Sequence, residues 1–213
     1  MARIVLIVNA EHDEPTAYLG TWSRKVVKEL QGDADIKIIE IGGIDAVKTN
    51  VLNLISSNDP AIIIFNGHGN ENTICGHNYD VLVKVGEDLD GFKGRIVHAM
   101  ACKSASVLGG DLIKIGGVAF VGYKEEFKLV HQGQSDDTAR EADAVAALFL
   151  NPAFTAVTAL MKGETASQAY ALSQHEYAKC MAELIKSNPN DLFSIIGAPL
   201  YHNMKYQVCL ERT

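Results

Sequence analysis

Two residues in this 213-residue chain have the types and the setting that covalent acyl transfer needs. His68 sits in Asn66-Gly67-His68-Gly69-Asn70, directly behind the apolar run Ile62–Phe65. Glycines on both sides let its ring face a cleft and let a neighbouring backbone N–H approach a ligand. Cys102 sits in Ala101-Cys102-Lys103-Ser104, at the end of the run Arg95–Ala101, and the residues after it read as a helix. A helix start at that point would stabilise the thiolate. A thiol nucleophile beside an imidazole that handles protons can form and break an acyl-enzyme.

The remaining candidates carry less. The first apolar run, Ile4–Val8, is followed by Asn9-Ala10-Glu11-His12-Asp13-Glu14, which contains no glycine. That removes the dinucleotide fingerprint, and no phosphate-loop motif occurs elsewhere. Glu11 and Asp13, with Glu14, form an acidic cluster that suits a basic substrate side chain; Glu125 and Glu126 are a second such pair, and the plainer reading of either is a solvated loop. Cys75-Gly76-His77 lacks a Cys-x-x-Cys partner, so neither a metal nor a cofactor is expected. His98 lies within an apolar run and reads as a packed or network residue rather than a catalyst. Cys180 shares a helical stripe with Tyr177, Met181 and Leu184, which is core spacing.

These residues need a scaffold, and the hydrophobic pattern supplies one. Strands are predicted at Ile4–Val8, Ile36–Ile41, Ile62–Phe65, Arg95–Ala101 and Val118–Tyr123, with a sixth at Phe193–Ile196 on the sheet edge. Between them lie helical stripes: Leu19, Trp22, Val26, Val27 and Leu30, then Ile44, Val47, Val51 and Leu54, then Ser104–Ile115. A small hairpin is expected within Asn72–Val85. After the polar stretch Lys124–Asp137 come helices at Thr138–Leu150, Pro152–Met161 and Thr165–Ile185, the last opened by the capping box Thr165-Ala166-Ser167-Gln168. Alternation of this kind gives an α/β three-layer sandwich around a mostly parallel sheet of about six strands. Ligands bind such sheets beyond the carboxyl ends of the strands, where His68 and Cys102 fall.

Composition narrows the classes further. Hydrophobic content of 47% beside 21% charged residues excludes a disordered chain and is ample for one domain over residues 1–213. A net charge of −7 with no basic tract argues against nucleic acid or an anionic membrane as partner. No apolar run is expected to reach the ~18 residues a membrane span needs. Four cysteines without framework spacing fit reduced thiols, and a cytoplasmic location is the expectation.

In order and setting, Ile62-Ile63-Ile64-Phe65-Asn66-Gly67-His68-Gly69 followed by Ile96-Val97-His98-Ala99-Met100-Ala101-Cys102 resembles the caspase-like superfamily of cysteine peptidases. That group includes caspases, metacaspases, clostripain, gingipains, legumain and separase. One strand there ends in His-Gly and the next in Ala-Cys, with the histidine first. The motif is nearest to clostripain and the gingipains, or to bacterial domains related to caspases and separases; the Asp that metacaspases carry two residues before the nucleophile is Met100 here.

The resemblance implies a cysteine endopeptidase acting on a polypeptide. Cys102 is the nucleophile, His68 the acid and base, and the backbone N–H groups of Gly69 and Cys102 the oxyanion site. It also implies Glu11 and Asp13 as the pocket for Arg or Lys at P1, and 124–140 as an exposed processing loop. The alternatives are an inactive binding or regulatory domain with this fold, and a thiol amidase of another substrate class.

Overall fold

The computed structural model describes residues 2–187 and 195–212. Its main sheet has the order β2-β1-β3-β7-β8-β9. Strands β1 (Arg3–Asn9), β2 (Ile36–Gly42), β3 (Ile62–Asn66), β7 (Ile96–Met100) and β8 (Ala119–Tyr123) run parallel, and β9 (Gln207–Glu211) is antiparallel to β8. The α-helices among the described residues are α1 (Glu14–Glu29), α2 (Lys48–Asn58), α3 (Leu108–Lys114), α4 (Asp137–Glu141), α5 (Ala144–Lys162), α6 (Ala166–Ser187) and α7 (Gly197–Tyr206). A small antiparallel sheet, β4 (His68–Asn70), β5 (Thr73–Cys75) and β6 (Val81–Lys84), grows directly from the end of β3. The three-layer α/β architecture and the hairpin agree with the sequence reading.

Side chains alternate across the strands, so each apolar run feeds two cores. Val5, Ile7, Ile62, Ile64 and Met100 pack with Trp22 of α1 and Leu150 and Val157 of α5. Leu6, Val8, Ile63, Phe65 and Val97 pack with Val51 and Ile55 of α2, Leu108 and Leu112 of α3, and Ile74 of the small sheet. Burial on both faces is why these strands lack a polar side and could be read from sequence.

The helical half departs from expectation in two places. The segments Thr138–Leu150 and Pro152–Met161 resolve into a short α4 and one continuous α5 with Pro152 inside it. An interior proline removes one backbone hydrogen bond and costs ~3 kcal/mol. Burial of Phe149, Leu150, Ala153 and Phe154 around it opposes that cost, and the Pro152 carbonyl accepts a hydrogen bond from Ser173 of α6 at 2.7 Å. The real break comes earlier, where Asp143 caps α5 through Val145 and Ala146 N–H.

Continuity across Pro152 also makes α5 long and apolar enough to cross a membrane by length and composition, with 61% of its apolar window buried inside the fold. The second departure is the edge strand. Phe193 and Ser194 lie outside the described residues, Ile195 and Ile196 form a turn, and the sixth strand is Gln207–Glu211. Only Gln207 of β9 is fully buried, so its alternation was too weak to stand out. The capping box at α6 is present, with Thr165 N–H donating to Gln168 Oε1 and Gln168 N–H to Thr165 Oγ1.

Candidate functional site

Strands β3 and β7 are neighbours, and Asn66 pairs with Met100 at their carboxyl ends. His68 and Cys102 follow at equal distance past that pair, and Gly67 N–H donates to the Met100 carbonyl at 3.2 Å. Both residues line one cleft of about 300 Å³, walled by Pro15 and Leu19 of α1, Met100, and Phe127, Lys128 and Leu129 of the segment after β8. Gly69 lies against the backbone at Ala101 and Cys102. A Cβ there would fall 2.9 Å from the Ala101 Cβ and 3.4 Å from the Cys102 carbonyl oxygen, so only glycine fits that approach. The adjacency of His68, Cys102 and Gly69 thus follows from strand order alone.

His68 is held from the side. Its Nε2 lies 2.6 Å from Asp13 Oδ2. A carboxylate only accepts, so Nε2 carries the proton and Nδ1 is the basic nitrogen of the neutral ring. Asp13 is itself fixed as the N-cap of α1, where its Oδ1 accepts from Thr16 N–H at 3.1 Å and Thr16 Oγ1–H at 2.6 Å. Burial would raise the Asp13 carboxyl, but hydrogen bonds from Thr16 and His68 outweigh it and hold its pKa below the ordinary value. Asp13-Glu14-Pro15-Thr16 is a helix-start signature of Asp followed by Pro within the first turn, and that signal points to the cap that the acidic-cluster reading passed over.

Sequence reasoning missed His12. Its ring packs 5.4 Å from His68, 5.6 Å from His77 and 4.8 Å from Tyr79, centroid to centroid. Its side chain is only 6% exposed, and neither ring nitrogen has a hydrogen-bond partner among the described residues. Burial pushes its pKa down, with Asp13 opposing and His68 and His77 adding to the fall. Tyr79 also stacks on His68 at 4.9 Å, so two aromatic contacts and one carboxylate set the orientation of that imidazole.

Cys102 sits differently from expectation. The helix that was to start at Ser104 begins at Leu108, after a turn in which Lys103 adopts a left-handed φ of 56°. The thiol therefore lacks a helix end. Burial pushes its pKa up and Glu126 adds to the rise, while the backbone N–H of Phe127, donating to Sγ, opposes it.

The structure engages both expected specificity carboxylates internally. Glu11, in a left-handed conformation, turns its carboxylate over Gly20 to pair with Arg24, which also holds Asp137 of α4 at 2.8 Å. Asp13 serves His68 and the helix cap. Neither Glu11 nor Asp13 is among the cleft-lining residues. Glu126 pairs with Lys128 at 2.5 Å and Lys103 at 4.0 Å, and Glu125 contributes its carbonyl to Lys103 N–H.

The stretch 124–140 is tied to the body at several points, and Lys124, Glu126, Gln132, Gly133, Ser135, Asp136 and Thr138 along it are exposed. Lys124 N–H bonds to the Tyr206 carbonyl, Gln132 N–H to Asp143 and Gln134 N–H to Tyr18. Phe127, Leu129 and Val130 are half-buried. His98 is fully buried in β7, as expected, with neither nitrogen hydrogen-bonded among the described residues.

No family model matches this chain, and no curated protein matches it.

Proposed function

We propose that this protein is a caspase-like cysteine endopeptidase working through Cys102 and His68. The observation that carries the reading is the meeting of the two residues in one cleft at the carboxyl ends of adjacent parallel strands, with His68 held in one tautomer by Asp13. His68 Nδ1 takes the thiol proton as Cys102 Sγ attacks the scissile carbonyl carbon. The tetrahedral oxyanion is received by the N–H groups of Gly69 and Cys102. The C–N bond then breaks, the amine leaves with the proton from His68, and an acyl thioester remains. His68 next deprotonates water, which attacks the thioester, releases the acid and restores the thiol.

Asp13 acts as a positioning residue throughout. The apolar walls of Pro15, Leu19, Met100, Phe127 and Leu129 suit an apolar side chain at P1. A basic P1 residue has less support, because Glu11 and Asp13 already have partners.

Peptidyl acyloxymethyl ketones with Leu, Phe, Arg, Lys or Asp at P1 test this directly. Labelling of Cys102, strongest with Leu or Phe and lost in Cys102→Ala, is the expected result. Preferential labelling by Arg or Lys restores the basic pocket. No labelling and no hydrolysis with any of them means a non-catalytic binding domain.

A further inference from the structure

Beside the cleft, His68 also belongs to a second chemical grouping. Ligand atoms of His12, Asp13 and His68 all fall within 4.8 Å of one another. Asp13 Oδ2 is 2.6 Å from His68 Nε2 and 3.9 Å from His12 Nε2. Two imidazoles and one carboxylate are the donor set of a zinc-type site that keeps a position open.

Three features separate this trio from a chance surface cluster. The His12 side chain is more than nine-tenths buried, and neither of its nitrogens has a hydrogen-bond partner among the described residues, a cost that a protein seldom leaves uncompensated. Asp13 commits Oδ1 to the helix cap and leaves Oδ2 free to face the two rings, so the ligand carboxylate is oriented by backbone. His77, at the edge of His12, has Nδ1 fixed on the Ala10 carbonyl at 3.1 Å, which keeps its other nitrogen proton-free.

We propose that His12 Nε2, Asp13 Oδ2 and His68 Nε2 form a binding site for a divalent transition metal of the zinc class, and that occupation switches the cysteine dyad off. Ligation at about 2.0–2.2 Å requires the His68–Asp13 pair to open and the His12 side to close, each by side-chain adjustment. The metal takes the place of the Nε2 proton, so the neutral His68 ring carries its hydrogen on Nδ1. That nitrogen then has no lone pair for the Cys102 proton, and the base is lost. The inhibitory consequence rests on the peptidase reading; the metal site does not.

Metal binding is measured on the full chain with Zn²⁺ against a chromophoric chelator, and with Co²⁺ by its visible absorption. One equivalent is expected to bind to wild type and to Cys102→Ala alike, with no sulfur-to-cobalt charge-transfer band. His12→Ala and Asp13→Asn should each weaken binding by about tenfold or more, since even outer-sphere partners are worth that much. Asp13→Asn keeps a competent helix cap, so it remains informative if His12→Ala fails to fold.

Zn²⁺ should slow wild-type hydrolysis strongly relative to its own metal-free rate, and slow His12→Ala far less relative to its own. Equal Zn²⁺ affinity in wild type and both site variants overturns the site. Loss of binding in Cys102→Ala overturns it as well, by placing the metal on the thiol. Metal binding that depends on His12 in a chain with no peptidase activity keeps the site and ends the peptidase reading.

Discussion

Asn203 and Lys128 exchange two hydrogen bonds: Lys128 N–H donates to Asn203 Oδ1 at 2.8 Å, and Asn203 Nδ2 donates to the Lys128 carbonyl at 2.7 Å. The asparagine is fully buried in α7, so a side chain stands in for the neighbouring strand that this segment lacks. Phe127 and Leu129, on either side of Lys128, wall the cleft, and Phe127 N–H donates to the Cys102 thiol. One amide therefore fixes a wall of the cleft and a contact to the Cys102 thiol.

Asn203→Ala leaves both backbone groups of Lys128 unpaired and should destabilise the fold by about 2–4 kcal/mol. Turnover should fall at temperatures where the variant is still folded, because the segment no longer holds Phe127 in place. Chemical denaturation and kinetics on the same samples check this. Normal kinetics in a destabilised protein would make the clamp a packing feature only.

The thiol of Cys102 is raised by burial and by Glu126. Little of it is thiolate at neutral pH, and alkylation by iodoacetamide should accelerate as pH climbs into the alkaline range. Glu126→Gln should move that profile towards lower pH. A plateau already reached near pH 6 would mean that an ion pair with His68 governs the thiol instead.

Asp13 both caps a helix and orients a ring, and two substitutions separate the roles. Asp13→Ala loses the cap and should cost ~1 kcal/mol. Asp13→Asn can still cap, but its amide nitrogen facing His68 favours the wrong tautomer. Its kcat should drop by roughly two to four orders of magnitude with little change in stability. Wild-type kcat in Asp13→Asn would reduce Asp13 to a cap.

His98 is buried without a hydrogen-bond partner among the described residues, and burial lowers its pKa from 6.5 to about 4. An unfolded chain charges this imidazole below pH 6.5, whereas the folded one stays neutral until about pH 4. Unfolding therefore takes up a proton in that window, and stability falls as pH drops through it, by about 3 kcal/mol in full. His98→Leu should remove this part of the acid sensitivity. Parallel urea titrations at pH 7 and pH 4.5 compare the two proteins, and equal pH dependence would place a partner on the ring.

The meeting of His68 and Cys102 was legible because Ile62–Phe65 and Ile96–Met100 are buried on both faces, and chain order makes them neighbours. His12 was not legible, since nothing in Glu11-His12-Asp13 tells which of three side chains turns inward once α1 is capped. The fate of Glu11 depended on Arg24, several helical turns on, and Asp13's ring partner His68 lies 55 residues away, whereas its cap to Thr16 was signalled by Asp13-Glu14-Pro15-Thr16. Pro152 misled for a different reason. A local rule ended the helix there, and the tertiary burial of Phe149 and Phe154 overrode it.

Strand β8 ends at Tyr123 and takes its outer partner from β9, which begins at Gln207. At a synthesis rate of ~5–20 residues per second, the edge of β8 waits on the order of ten seconds for that partner. During the wait its N–H and C=O groups form an open template for another chain. Helices α5 and α6, made in the interval, can dock on one face of the sheet but cannot satisfy that edge. Nascent copies crowded on one messenger therefore have a specific place to join wrongly, and it lies at the opposite side of β7 from His68.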